Sequence, residues 1–226
     1  KLTVGQTYTP FNQFWSGQAY GTDAGMLNVG GVYGGRQPMV EYACGGFKIA
    51  LVDPDSATDL LTAGLVNLGG DIDITLPKLE AEYHGEVGAF SYSVGGTYAT
   101  YEVNDEDVDA YALAAGAKAT MGAFYVAADL IYGENVGNMS NIWMDTAKGA
   151  MWFNGDVNDE ESFGGIILAG YDMGTVGLEA GYGMIASEYD KGNFEEDDES
   201  VIYAQAVIDI ADGFFIVPEI GQYDYK

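Results

Sequence analysis

The sequence predicts an all-β protein: a transmembrane antiparallel up-and-down β-barrel with tight turns at one end, long acidic loops at the other and an inward-folded constriction loop. Three observations predict this fold. Apolar and polar residues alternate with a period of two through most of the chain. Very short glycine-containing connections alternate with long ones, and aromatic residues gather near strand ends on the apolar side.

The composition is that of a folded chain with a strong acidic bias. The 226 residues include 35 acidic and 8 basic side chains, for a formal net charge of −27, and 48% are apolar. This charge argues against a nucleic-acid partner, and the apolar share is too high for a disordered acidic chain. The single Cys44 excludes an intrachain disulfide framework and is interpreted as a bystander thiol. We expect no cofactor and no metal, because the sequence contains no Cys/His cluster.

The chain contains no stretch with the roughly 18 consecutive apolar residues of a membrane-spanning helix. The best candidate, residues 121–132, is short and contains Asp129. The first residues lack the charged head and apolar core of a secretory leader, so we expect a mature form or an internal piece of a longer chain.

The alternation is clearest from Phe124 to Tyr132, where every second residue is apolar and the residues between them include Asp129. The same test along the chain predicts eleven strands, with boundaries uncertain by about two to four residues. They lie at about 2–8, 37–44, 47–53, 77–86, 89–102, 109–120, 123–133, 162–171, 175–187, 199–210 and 214–225.

Tight turns are predicted where short connections carry glycine. These connections are Gly45-Gly46, Glu86-Val87-Gly88, Met121-Gly122, Asp172-Met173-Gly174 and Ala211-Asp212-Gly213. The long connections lie at 9–36, 54–76, 103–109, 134–161 and 188–198. Because the two kinds alternate strictly, all tight turns fall at one end of the sheet. Most of the acidic residues lie in the long connections.

The apolar faces need an apolar neighbour, which is either lipid or a second sheet. Aromatic rings near the strand ends favour lipid, because such rings sit at a bilayer interface. In lipid every backbone polar group must be paired, so only a closed barrel would span it. These aromatic residues are Tyr83, Phe90, Tyr98, Tyr111, Phe124, Tyr132, Tyr171 and Tyr182.

The organisation resembles that of the trimeric, 16-stranded general diffusion porins of Gram-negative outer membranes. Residues Leu2–Tyr8, the aromatic glycine-rich segment 9–35 and the strands at 35–42 and 47–51 are similar to that family's fifth strand, constriction loop, and sixth and seventh strands. Residues 77–83 and 214–221 also resemble porin strands.

The resemblance implies a single β-barrel domain over 1–226 that matches strands five to fifteen and lacks strands one to four and the last strand. A smaller complete barrel of ten or twelve strands is the alternative, since such barrels have an even strand number. The resemblance also implies a bacterial outer-membrane location, a homotrimer, contact with outer-membrane lipid and lipopolysaccharide, and passive diffusion of ions and small hydrophilic solutes. The acidic loops are either a solvated surface or weak divalent-cation sites.

Segment 9–36 is the candidate constriction loop, because it is rich in aromatic residues and carries one acid, Asp23. An ordinary packed surface loop is the alternative. Acidic residues exceed basic ones on the strand faces assigned to the lumen, which predicts a preference for small cations. The acids are Glu41, Glu80, Glu82, Asp129, Glu179, Asp209 and Glu219, and the bases are Arg36, Lys48, Lys78 and Lys118. The porin family often places an arginine cluster opposite an acidic loop, whereas Arg36 is the only arginine here.

Three other functions are weighed against a pore. A secreted acidic β-protein, such as an adhesin, would pack its apolar faces against each other and dissolve without detergent. An outer-membrane hydrolase would need a nucleophile and a base, and the pair His84 and Ser91 is weak evidence for one. A barrel with a structural or sheathing role would have a plugged lumen. We therefore expect no enzyme activity.

Overall fold

The computed structural model describes residues 1–13, 15–18, 29–54, 72–74, 76–103, 106–139, 146–147, 149–153, 156–192 and 194–225. Extended strands make up most of these residues, with one short 3-10 turn at Val136–Asn138. In chain order the strands are β1 Leu2–Tyr8, β2 Asn12–Gln13, β3 Val32–Tyr33, β4 Arg36–Cys44, β5 Phe47–Val52, β6 Ile72–Asp73, β7 Lys78–Val87, β8 Phe90–Val103, β9 Glu106–Met121, β10 Phe124–Glu134, β11 Met151–Phe153, β12 Asp156–Asn158, β13 Glu160–Asp172, β14 Val176–Tyr189, β15 Asp197–Ala211, β16 Phe214–Ile216 and β17 Glu219–Tyr225.

The long strands form one antiparallel sheet in up-and-down order. Hydrogen-bonded neighbours run β1-β4-β5-β7-β8-β9-β10-β13-β14-β15, and both β16 and β17 pair with β15. Among the described residues, no pairing joins β1 to β17. The predicted all-β, up-and-down architecture is therefore confirmed, and each predicted strand corresponds to an observed one.

The last predicted strand is interrupted at Val217-Pro218, between β16 and β17. Proline has no backbone N–H, so it cannot donate to the neighbouring strand. The Pro218 carbonyl still accepts a hydrogen bond from the Ala206 N–H at 3.0 Å. The pairing of β15 with β16 also shifts register between Asp209 and Ala211, which accommodates the break.

Tight glycine turns join the strands at one end of the sheet, called here the turn end. Gly45 and Gly122 have φ angles of 60° and 64°, a left-handed conformation that a Cβ disfavours. These turns set the register, so that Cys44 pairs with Phe47 and Met121 with Phe124. The long connections lie at the other end, called the loop end.

Each long strand has an exposed apolar face and a buried face. On β10, Leu130 is 58% exposed whereas its neighbour Asp129 is 2% exposed. The predicted aromatic residues lie on this outward face, but Tyr182 differs from the rest because it pairs with Ile167 and Ile202 in the middle of the strands. Within the described part of the chain no second layer covers the outward face, so a bilayer is the solvent that suits it.

No helix in the described part of the chain is long and apolar enough to span a membrane.

The inward face packs against chain segments that enter from the long connections. The largest buried cluster joins inward residues of β9, β10, β13, β14 and β15 to residues of two such segments. Its wall members include Ala112, Ala114, Ile131, Ile166, Leu168, Ile185 and Val201, and its segment members include Phe11, Val29, Val32, Val136 and Met139. The small alanines of the wall leave room for these larger side chains.

Candidate functional site

The first inward segment begins directly after β1, where it is fixed to β7. Phe11 is 1% exposed, and its backbone N–H donates to Glu80 Oε2 at 3.0 Å. Glu80 Oε1 also lies 3.0 Å from Lys78 Nζ, and both side chains are almost completely buried. A buried carboxylate needs such partners, because its transfer from water is costly. Glu80 therefore anchors the segment to the wall.

The same segment is fixed to β14 and β15 by residues 16–18. Glu179 Oε1 accepts the Gly17 N–H at 2.9 Å, and Glu179 Oε2 accepts the Tyr125 hydroxyl at 2.7 Å. The Tyr203 hydroxyl also donates to Glu179. Next to this group, Gln205 Nε2 donates to the Gly17 carbonyl at 2.7 Å. Glu179 thus holds the segment against strands that are distant in the sheet from its entry at β7.

Residues 29–34 pack the returning part of the segment against the same wall. A Cβ at Gly30 would lie 2.3 Å from the Gly165 carbonyl oxygen, so only glycine allows the two backbones to approach this closely. Val29 and Val32 are fully buried beside it. The described parts of segment 9–36 therefore lie inside the sheet, against its inward face. Residues 14 and 19–28, and with them Asp23, lie outside the described residues.

A second connection also turns inward, which the sequence analysis missed. Asn138 Oδ1 accepts the Ala150 N–H at 2.7 Å, and Thr97 Oγ1 lies 3.7 Å from Met139 Sδ. The Thr146 and Ser187 hydroxyls are 2.8 Å apart and both are buried. One signal was available, because residues 135–151 contain a single acid within an otherwise acidic connection.

Most residues assigned to the lumen lie on the inward face, in different environments. Glu41, Glu82, Asp129 and Glu179 are buried there with Lys78 and Glu80. Lys48 Nζ lies 2.8 Å from Glu82 Oε2, with part of the lysine side chain exposed. Lys118 Nζ lies 4.0 Å above the Tyr125 ring, and Glu219 Oε1 accepts a hydrogen bond from Gln18 Nε2 at 2.9 Å. Asp209 is exposed near the turn end of β15.

Arg36 is an exception, and the prediction that it lines the lumen is wrong. The burial pattern of β4 alternates, with Arg36 exposed and Glu41 buried. The two residues are separated by an odd number of positions, so a regular strand places them on opposite faces. Arg36 lies on the outward face, with its guanidinium carbon 4.5 Å from the centre of the Tyr8 ring.

The candidate base and nucleophile, His84 and Ser91, lie on the adjacent strands β7 and β8. His84 lies opposite Ser93, and Ser91 lies opposite Glu86, so His84 and Ser91 are diagonal neighbours rather than cross-strand partners. Among the described residues there is no group of three or more His, Cys, Asp or Glu side chains placed to hold a metal ion.

A sheet of this topology, with an exposed apolar outward face and inward-folded segments, defines a β-barrel of the porin type. Solved porin structures have the same fold. The chain is similar to the outer-membrane channel DcaP of Acinetobacter baumannii, with 17% identity, a TM-score of 0.64, and coverage of 98% of this chain and 70% of that one. It is also similar to an anion-selective porin from Comamonas acidovorans, with 15% identity, a TM-score of 0.63, and coverage of 100% and 64%.

The trimer form of OmpT, an outer membrane protein of Vibrio cholerae, matches with 12% identity, a TM-score of 0.61, and coverage of 99% of this chain and 66% of that one. The chain thus spans 64% to 70% of the length of these three proteins. No family model and no curated protein matches it. The fold is thus shared with outer-membrane proteins, and the exposed apolar band of the outward face suits a lipid bilayer.

Proposed function

We propose that the chain is part of an outer-membrane porin that admits ions and small hydrophilic solutes by passive diffusion. The observation that carries this proposal is the segment 9–18, which is held to β7 by Glu80 and to β14 by Glu179. A segment that crosses the interior of a barrel narrows the aqueous path, and charges beside it select among solutes. We propose that segment 9–36 acts as this constriction loop.

The aqueous path lies off centre in this proposal. Inward residues of β9, β10 and β13, among them Ala112, Ile131 and Ile166, are buried beneath the two inward segments, so this part of the wall excludes water. Exposed or partly exposed inward groups lie outside this cluster and include Lys48 on β5, His84 on β7 and Lys118 near the turn end of β9. A path that passes beside the buried cluster would admit ions and small solutes and exclude larger ones.

We further propose that the pore prefers cations. With Arg36 on the outward face and Asp129 buried in the wall, six of the assigned acids remain against the bases Lys48, Lys78 and Lys118 on the inward face. Lys48 and Lys78 are each paired with a glutamate, so neither presents an uncompensated positive charge to a solute. An excess of fixed negative charge in a low-dielectric wall attracts cations. The fold alone does not determine whether a pore prefers cations or anions, since one similar structure is an anion-selective porin.

Planar-bilayer recording tests the pore and its selectivity together. The full chain should produce stepwise conductance, and the reversal potential in a salt gradient should have the sign for cation preference. An anion-preferring reversal potential would contradict the charge assignment but leave the pore intact. Absence of conductance together with solubility in detergent-free buffer would favour the secreted acidic β-protein instead.

We propose a homotrimer whose outward face contacts outer-membrane lipid and lipopolysaccharide. The exposed apolar residues of that face support the lipid contact. The trimer is consistent with the trimer form recorded for the Vibrio cholerae OmpT. Mass measurement of the detergent-solubilised protein would test the trimer, and a monomer mass would contradict it.

A further inference from the structure

Arg36 and Tyr8 form a fixed cationic group on the outward face of the sheet. The two residues are direct cross-strand partners of β4 and β1. The guanidinium carbon lies 4.5 Å from the centre of the Tyr8 ring, and Arg36 Nη2 donates to the Tyr8 hydroxyl at 3.1 Å. Tyr33 packs edge-on against Tyr8, with ring centres 6.3 Å apart. Stacking and the hydrogen bond together hold the guanidinium in one orientation.

The charge of Arg36 is unusual in this chain. Arg36 is the only arginine in a sequence with 35 acids, yet among the described residues it forms no ion pair with a carboxylate. A guanidinium carries five N–H donors, and the Tyr8 hydroxyl accepts from one nitrogen. Because Arg36 is exposed, the rest of this planar fork is accessible to an anion from outside the protein.

The position of Arg36 matches the height of a lipid head group. It begins β4 at the loop end, and the outward residues Val40 and Leu51 are cross-strand partners further along the sheet. At a rise of about 3.4 Å per residue, Arg36 lies roughly 14 Å from Val40 and about 27 Å from Cys44 along the strand. With a strand tilt of about 40°, the second distance corresponds to a height of about 21 Å. Since the apolar band of a membrane barrel is about 25 Å tall, Arg36 lies near its edge.

We propose that Arg36 and Tyr8 bind the phosphate of a lipid head group, with the acyl chain lying along Val40 and Leu51. A phosphate accepts two parallel N–H bonds from a guanidinium fork. Only 8 basic residues are present against 35 acids, so few other groups of the protein could hold an anion. A bilayer supplies phosphate at this height together with a chain for the apolar strip below. The site is separate from the pore and does not depend on conduction.

Thermal unfolding of the full chain in dodecyl maltoside micelles tests this site, with increasing amounts of dodecyl phosphate as the probe. Binding to the folded state raises the unfolding midpoint. We expect dodecyl phosphate to raise the midpoint of the wild type, and inorganic phosphate at the same concentration to leave it unchanged. In Arg36→Gln the apparent affinity for dodecyl phosphate should fall at least about tenfold, since a charge-assisted pair is lost.

Lys48→Gln is the matched control, because it removes one positive charge from the neighbouring strand on the inward face. It should retain the response to dodecyl phosphate. Tyr8→Leu keeps the arginine but removes the ring that orients it, and it should weaken the response. Three results would overturn the proposal: an unchanged response in Arg36→Gln, an equal response to inorganic phosphate, or a loss of oligomer mass in Arg36→Gln, which would assign the residue to a subunit contact.

Discussion

Glu179 fixes residues 16–18 of the first inward segment, so its replacement by alanine should loosen the constriction. Its carboxylate accepts the Gly17 N–H at 2.9 Å and lies 3.3 Å from Ser16 Oγ. A hydrogen bond to a charged group contributes about 1.5 to 3 kcal/mol. Loss of the Gly17 bond alone would therefore shift the balance between docked and undocked segment about ten- to hundredfold toward the undocked state.

Single-channel recording measures this shift. We expect Glu179→Ala to show a larger mean conductance and more frequent fluctuations than the wild type. Glu41→Ala is the matched control, because it removes another buried inward glutamate, which accepts a hydrogen bond at 3.4 Å from Thr3 Oγ1 on β1 rather than from the segment. Steady conductance of wild-type size in Glu179→Ala would refute the reasoning, and so would equal fluctuations in both variants.

Four further predictions concern the two faces, the close approach at Gly30 and the inward glutamates. Leu130→Arg should lower the free energy of unfolding in lipid vesicles by about 2 to 4 kcal/mol, whereas Ser91→Arg on the inward face should cost less than about 1 kcal/mol in the same urea titration. Gly30→Ala should lower the unfolding free energy by about 1 to 3 kcal/mol, because its Cβ would lie 2.3 Å from a carbonyl oxygen. Glu80→Gln should cost about 3 to 5 kcal/mol by leaving a buried lysine unpaired, while Glu82→Gln should keep the fold and shift the reversal potential away from cation preference.

The following outcomes would contradict the predictions for the two faces, Gly30 and Glu82. Equal cost of arginine at 130 and 91 would disprove the assignment of the faces. Gly45 has a positive φ but open space around it, so Gly45→Ala isolates the backbone strain from the steric clash at Gly30. Equal loss of stability in both variants would show that the close approach is unimportant. An unchanged reversal potential in Glu82→Gln would remove Glu82 from the ion path.

Local patterns account for the part of the fold that the sequence predicts. Alternation assigns Leu130 and Asp129 to opposite faces, and the position of Gly122 defines a turn, because both depend on neighbouring residues alone. The inward location of residues 136–139 depends on contacts with the Ala112 and Ala114 wall, which is distant in the sequence. Such packing leaves little trace in a local pattern.

For the candidate site, the sequence predicts which face of a strand a side chain occupies, but not the contacts that the side chain makes there. The inward position of Glu179 follows from its place in β14, but its role as an anchor depends on Gly17, far away in the chain. Glu80 was expected to line a pore, whereas the Phe11 N–H and Lys78 make it a buried anchor. The sequence predicts this strand only from residue 37, whereas β4 begins at Arg36 and its alternation places Arg36 on the outward face.

The largest buried cluster, which joins the inward segments to the wall, affects the order in which the protein folds. Phe11, Val29 and Val32 share one buried cluster with wall residues of β8, β9, β10, β13, β14 and β15, and all of these strands come after them along the chain. If those strands paired first around a water-filled interior, the later insertion of large apolar side chains into that interior would be slow. We therefore expect the two segments to pack against the wall before the sheet is complete, so that the wall and its apolar interior form together.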